Sequence, residues 1–128
     1  ERITNKFNKD SINKSKQFVD ETVDYIFRSI EFIKSKVHNP KFLLWSNDFT
    51  DLEKYFPAKQ FLYVINSENK ILNDFFLLTQ CKYFIVSPTT FNWWAAWLSN
   101  KHDKICIRPK NLNPSNNKDF WPQEWISI

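Results

Sequence analysis

Glycine is missing from all 128 residues, although about 7% is usual in a soluble protein. A glycine-rich cradle of the P-loop or dinucleotide kind therefore cannot be built, which argues against an NTPase or a dehydrogenase. Turns must rest on proline and on asparagine, the residue most tolerant of positive φ after glycine. Asn39-Pro40, Asn113-Pro114 and Ser46-Asn47-Asp48 fill that role. Arginine is scarce too. Arg2, Arg28 and Arg108 are scattered and the net charge is only +4, whereas a nucleic-acid surface wants a basic stripe rich in arginine. No nucleic-acid partner is expected. The charge suits an anionic small ligand or peripheral association with a membrane surface.

The two cysteines, Cys81 and Cys106, both fall in apolar runs, where a free thiol behaves as a small hydrophobe. With no secretory segment in view, reduced thiols and a cytoplasmic location are expected, extending to the inner face of the membrane. His38 and His102 lack the convergent spacing of a zinc site, so no metal is expected. No apolar run approaches the length needed to cross a bilayer.

Aromatic side chains are abundant instead. Six Trp, thirteen Phe and four Tyr make up 18% of the chain. The length suits one domain with an ordinary core. Residues 1–16 are polar and without period, and read as a stub or loop. From Gln17 the pattern changes. Val19, Val23, Ile26, Ile30, Ile33 and Val37 recur at 4-3-4-3-4 spacing, predicting an amphipathic helix that Pro40 stops. Short unalternating apolar runs at 42–45, 61–65, 83–86 and 104–107 predict strands buried on both faces. Helical segments are expected between them: 51–56 after Thr50, and 75–81 opened by Asp74. A third, started by Thr89 and Thr90, carries Trp93, Trp94 and Trp97. Phe91, Trp94 and Leu98 fall on one side of it and Trp93 and Trp97 on another, which places most of the set in the core. The irregular tail closes on Phe120, Trp121, Trp125 and Ile126, which should pin the end of the chain on the domain.

Strands alternating with helices, and no hairpin signal between them, indicate a Rossmann-like parallel α/β sheet with helices on both faces. In such sheets ligands bind beyond the carboxyl ends of the strands. Those ends, at Ser46-Asn47-Asp48, Asn66, Ser87-Pro88-Thr89-Thr90 and Arg108-Pro109-Lys110, are all polar.

The most distinctive stretch is residues 74–98, DFFLLTQCKYFIVSPTTFNWWAAWL. An acid, a run of LLxxC and a buried strand lead into a hydroxyl-rich turn and Phe91-Asn92-Trp93-Trp94-Ala95-Ala96-Trp97-Leu98. This order resembles the C-terminal donor-binding region of the α-1,2-fucosyltransferases, two-lobed inverting enzymes of the GT-B class that use GDP-fucose. The likeness runs through residues 17–128. Where the family usually has Asn-Ser-Thr-Phe and Ser-Trp-Trp-Gly, this chain has Pro88-Thr89-Thr90-Phe91 and Asn92-Trp93-Trp94-Ala95. The family's basic phosphate-binding motif, His-x-Arg-Arg-Gly-Asp, has no counterpart in these residues.

The resemblance implies that residues 17–128 form the donor-nucleotide lobe of a GT-B glycosyltransferase. It implies GDP-fucose as donor, a galactose-containing acceptor glycan, an N-terminal lobe as partner, and no metal or other cofactor. A chain of this length alone is expected to be inactive. Thr89, Thr90 and Phe91 would then meet the diphosphate, at a helix N-terminus that offers partial positive charge. Asp74 would accept from guanine, whose Watson–Crick edge presents two adjacent donors to a carboxylate that has only acceptors. Asn47 and Asp48 match the acidic pair that ends the corresponding strand, and Arg108 is a further candidate for a phosphate. Each has a plainer reading as well: Thr89, Thr90 and Asp74 as helix caps, Asn47-Asp48 as turn chemistry. No residue is assigned as the base that deprotonates the acceptor. Two other functions stay open, a degenerate non-catalytic domain kept for binding or assembly, and another sugar-nucleotide enzyme of the GT-B class.

Overall fold

The computed structural model describes residues 9–46, 48–65, 71–112 and 117–128. Helix α1 (Lys9–Lys36) opens the domain and begins about two turns before the apolar period does. Residues 9–16 are thus helix and not the loop expected of them. They offer no apolar face for a periodic reading, yet a helix once nucleated propagates readily into polar residues. The deepest positions of α1 are Tyr25, Ser29, Ile30 and Ile33. Ser29 brings little bulk between helix and strands, and its hydroxyl donates back to the Tyr25 carbonyl at 2.8 Å.

Strands β1 (Phe42–Leu44) and β2 (Phe61–Tyr63) form one parallel ladder with Leu43 opposite Leu62. A second ladder, also parallel, joins β3 (Tyr83–Ile85), β4 (Ile105–Arg108) and β5 (Ile126–Ser127). Phe84 lies opposite Cys106 and Ile107 opposite Ile126. The two-residue β5 is too short to leave a pattern in the sequence. The expected single sheet is also divided: no ladder runs between β1 and β3, and a cleft of about 330 Å³ opens there. Helix α1 spans the division. Phe42 and Leu44 from one ladder pack on it together with Tyr83, Ile85, Ile105 and Ile107 from the other.

Alternate residues Phe84, Val86 and Cys106 turn to the opposite face. There α2 (Ile71–Thr79) and α3 (Thr90–Leu98) cover them through Leu78, Ala95 and Ala96. Helices therefore lie on both faces of the three-stranded ladder, and the fold is a Rossmann-like α/β lobe. On the far side of β1–β2, Leu43 and Leu62 stay half exposed. Among the described residues no helix is long and apolar enough to cross a membrane.

The aromatic face of α3 departs from expectation. Trp94, Trp97 and Leu98 are about half exposed, while Ala95 and Ala96 are wholly buried. Close approach of helix to sheet needs the small residues underneath, which displaces the large rings to the flanks. Trp93 stacks on Trp97 at 5.3 Å and donates its indole N–H to the Phe120 carbonyl at 2.8 Å. Trp121 donates likewise to Leu112, and Trp121 and Trp125 share a core with Ala95 and Ala96. The tail is pinned to the domain as expected.

Left-handed backbone falls on Asn39 (φ 50°), Asp51 (φ 62°) and Asp103 (φ 55°). Short polar side chains that bond locally tolerate this conformation best after glycine, and among the described residues two of the three are aspartates; Asn47 and Asn113-Pro114 lie outside them. Asp51 precedes a single 3₁₀ turn at Leu52–Lys54, in place of the longer helix expected at 51–56. Helix α3 ends without any left-handed residue, at Ser99 with φ −61° and ψ 125°. The Lys104 ammonium closes it instead, donating to the carbonyls of Ala96, Trp97 and Ser99 at 2.9, 3.0 and 2.8 Å. A cation there also suits the negative end of the helix dipole. Lys104→Met keeps the stem and removes these bonds. Thermal denaturation should show a loss of about 1–2 kcal/mol, and an unchanged melting temperature would mean the cap contributes nothing.

Candidate functional site

The crossover from β1 to β2 packs Leu52, Tyr55 and Phe56 on the α1 side of the sheet, whereas α2 carries the chain from β2 to β3 on the other side. The winding reverses between β1 and β3. At such a reversal the loops leaving neighbouring strands diverge and open a crevice at their carboxyl ends. The cleft runs along the whole gap between β1 and β3, from Pro40, Lys41, Cys81 and Lys82 at the amino ends to Trp45, Ser87 and Asn92 at the carboxyl ends.

Strand β3 stops at Ile85, and Ser87-Pro88-Thr89 turns the chain into α3. The Thr89 N–H donates to the Ser87 carbonyl at 2.7 Å. Thr89 is extended, at φ −122° and ψ 144°, and its hydroxyl accepts from the Asn92 N–H at 3.4 Å. The Ser87 hydroxyl accepts from the Asn92 side-chain amide and lies 3.5 Å from the Thr89 hydroxyl. Capping thus falls to Thr89. Thr90, the first residue of α3, is exposed and takes no part in the cap.

Phe91, half-buried in the first turn of α3, meets Phe75 of α2 edge-on at 5.3 Å. Asp74 is the neighbour of Phe75 and is half-buried. It stands inside the first turn of α2, not ahead of the helix as its reading as a cap required. Ile71 and Leu72 extend the helix forward, and an acid one turn in still benefits from the dipole. Asp74, Thr89, Thr90 and Phe91 are therefore carried by two contacting helices, near the first turn of each.

Asp48 behaves differently. Its N–H donates to the Ser46 hydroxyl at 3.1 Å, and its carboxylate accepts from the Thr50 N–H at 2.8 Å. Hydrogen bonding from Thr50, side chain and backbone, holds the carboxyl below its usual range. These are the contacts of a turn, and they do not join Asp48 to α3. Asn47 lies outside the described residues.

Three further residues belong to this end of the sheet. The β3–β4 register places Arg108 beside Val86, one residue before Ser87. Among the described residues its Nε is buried without a hydrogen-bond partner, and Nη1 makes a long 3.4 Å contact to the Pro109 carbonyl. The ion pairs among the described residues join Arg28 to Asp24, Lys34 to Glu31 and Lys54 to Asp51, so Arg108 has no carboxylate partner there. Trp45 passes for a strand residue in the sequence, yet its indole N–H is buried and unpartnered at the cleft. Asn92 is hidden within the aromatic motif; the Ser87–Asn92 spacing carries no general signal. Neither cysteine belongs to the Ser87 turn, although Cys81 lines the far end of the cleft. Burial pushes both thiols up, Cys106 to about 11, and neither is in a disulfide. No three His, Cys, Asp or Glu side chains among the described residues are grouped to hold a metal ion.

A hydroxyl-rich strand-to-helix turn with a cation beside it is an arrangement that holds an anionic group. The family model described as Glycosyl transferase family 11 matches residues 9–128. The chain belongs to that family. Similar proteins include an O-antigen biosynthesis glycosyltransferase, WbnK, of Escherichia coli, 29% identical over 109 residues. That match takes in 83% of this chain and 36% of the relative. An α-1,2-colitosyltransferase of Escherichia coli is 28% identical over 116 residues, 84% of this chain and 39% of that protein. The family 11 chain thus spans little more than a third of the length of these relatives. No solved structure matches it. Family membership bears out the resemblance read from residues 74–98 and makes the chain part of the glycosyltransferases.

Proposed function

We propose that this family 11 chain is the donor-nucleotide lobe of an inverting α-1,2-fucosyltransferase of GT-B architecture. The reaction moves L-fucose from GDP-β-L-fucose to a galactose 2-hydroxyl of a surface glycan. The relatives' names support the class of linkage and of product. The observation that carries the reading is the turn at Ser87-Pro88-Thr89-Thr90, which leads from the carboxyl end of β3 into the N-terminus of α3 beside Arg108. Transfer of the sugar leaves negative charge on the departing diphosphate. The free N–H groups of α3, the exposed Thr90 hydroxyl and the Arg108 guanidinium face that charge without any metal. Phe91 holds this turn against α2, and Asp74 receives the guanine. Asp48, which follows β1, takes the opposite rim in this reading, and Asn47 is its sequence neighbour. The acceptor glycan, an N-terminal lobe and work at the inner face of the membrane belong to the same reading.

The base decides it. Two carboxylate oxygens of Asp74 facing guanine N1–H and the exocyclic amine form a paired contact. Inosine diphosphate lacks the amine and leaves one oxygen unpaired. Titration calorimetry should therefore show GDP favoured over IDP by about 1–3 kcal/mol. Asp74→Asn turns one acceptor towards a donor as a donor itself and should remove most of that preference. Because Asp74 lies inside α2 and not ahead of it, the variant loses no helix cap. Equal affinity of the unaltered chain for GDP and IDP overturns the assignment.

A further inference from the structure

The structure assigns Tyr25 the role of a positioning residue: reaching from α1, its phenol fixes the carboxyl ends of β3 and β4, and with them the Ser87 turn and Arg108. Tyr25 is only 4% exposed. Its Oη lies 2.9 Å from the Val86 carbonyl oxygen and 2.9 Å from that of Ile107. Val86 immediately precedes Ser87, and Ile107 immediately precedes Arg108. The Val86 N–H donates to the same Ile107 carbonyl at 2.9 Å, so the phenol sits on the rung that ends the β3 ladder.

A peptide group is a rigid plane. Fixing the Val86 carbonyl therefore fixes the Ser87 N–H and the direction in which the turn departs, and fixing the Ile107 carbonyl does the same for Arg108. The phenol has one proton, and two carbonyls share it; its position must satisfy both. Burial raises its pKa above the ordinary phenol range, so the phenol is a proton donor at neutral pH. A phenylalanine would fill the same space but leave the Val86 carbonyl buried without this donor. Such a group carries a penalty that rotation of the Val86–Ser87 peptide relieves, and that rotation displaces the turn.

The inference rests on reading the Ser87 turn and Arg108 as the diphosphate site. Its test is calorimetric titration of the chain and of Tyr25→Phe with GDP and with guanosine. GDP should bind the variant about tenfold more weakly, with guanosine unchanged. Ile33→Val, a buried change at the same helix–sheet interface with no contact to the turn, should lower stability and keep the GDP-to-guanosine ratio. If Tyr25→Phe is unfolded at the titration temperature, both proteins are compared in an excluded osmolyte that restores folding. Retention of the full ratio in Tyr25→Phe, or an equal loss in Ile33→Val, overturns the inference and leaves the site reading standing. An unaltered chain that binds GDP no better than guanosine overturns the site reading and the inference with it.

Discussion

Replacing Ile107 with alanine should lower the unfolding free energy by about 2–5 kcal/mol, the largest effect expected from any substitution considered. Ile107 is completely buried. It lies on β4, the middle strand of the three-stranded ladder, and packs with Tyr25 and Ile33 of α1. Strand neighbours on both sides hold its backbone, so the surroundings cannot collapse into the space its side chain leaves. Domains of this size are stable by roughly 5–15 kcal/mol, which makes one such cavity a large share of the whole. Leu43→Ala is the contrast. That leucine is half exposed on the uncovered face of β1, and its loss should stay below about 1 kcal/mol. Urea denaturation of the two variants separates them, and equal losses would mean that α1 does not seal the β3–β4 face.

How much of this was legible in the sequence depended on the range of each interaction. The apolar period of α1 and its stop at Pro40 are local, and so is the switch from strand to helix at Ser87. Composition and spacing were enough for those. Residues 9–16 were not legible, because their sequence carries no apolar period. Asp74 read as a cap because the acid stands before the run Phe75-Phe76-Leu77-Leu78, and nothing local shows that Ile71 and Leu72 already belong to the helix. The burial order within α3 was hidden for another reason. Helical spacing groups Trp93, Trp94 and Trp97, but only the partner surface decides that Ala95 and Ala96 lie underneath.

The site divides along the same line. Thr89 and Thr90 could be named as cap candidates from residue type and order, whereas their place in a ligand site, and that of Phe91, came from the family resemblance; the ring that Phe91 meets, Phe75, is 16 residues away. Tyr25 could not, because its partners are 61 and 82 residues away. Arg108 was visible only as a strand end. The register that sets it beside Val86 is a property of the folded ladder.

The second large effect concerns Thr90, and the cap geometry makes it a clean experiment. Thr89 and Thr90 are adjacent hydroxyls, equivalent by composition, and the structure gives them different duties. Thr89 stands outside the helix in extended backbone and accepts from the Asn92 N–H. Thr90 is already helical and exposed. Thr89→Val should therefore lose the cap and about 1 kcal/mol of stability. Thr90→Val keeps the β-branched shape and a similar helix propensity, so the melting temperature should barely move. Its expected effect is on the ligand. A hydroxyl donating to a diphosphate oxygen is a charge-assisted bond, and losing it should weaken GDP by about 1.5–3 kcal/mol. Guanosine, which lacks the phosphates, should bind as before. Titration of both variants with GDP and guanosine, beside their thermal denaturation, places each hydroxyl separately. If Thr90→Val melts lower and keeps the GDP-to-guanosine ratio, its hydroxyl serves the helix and the diphosphate must be held elsewhere.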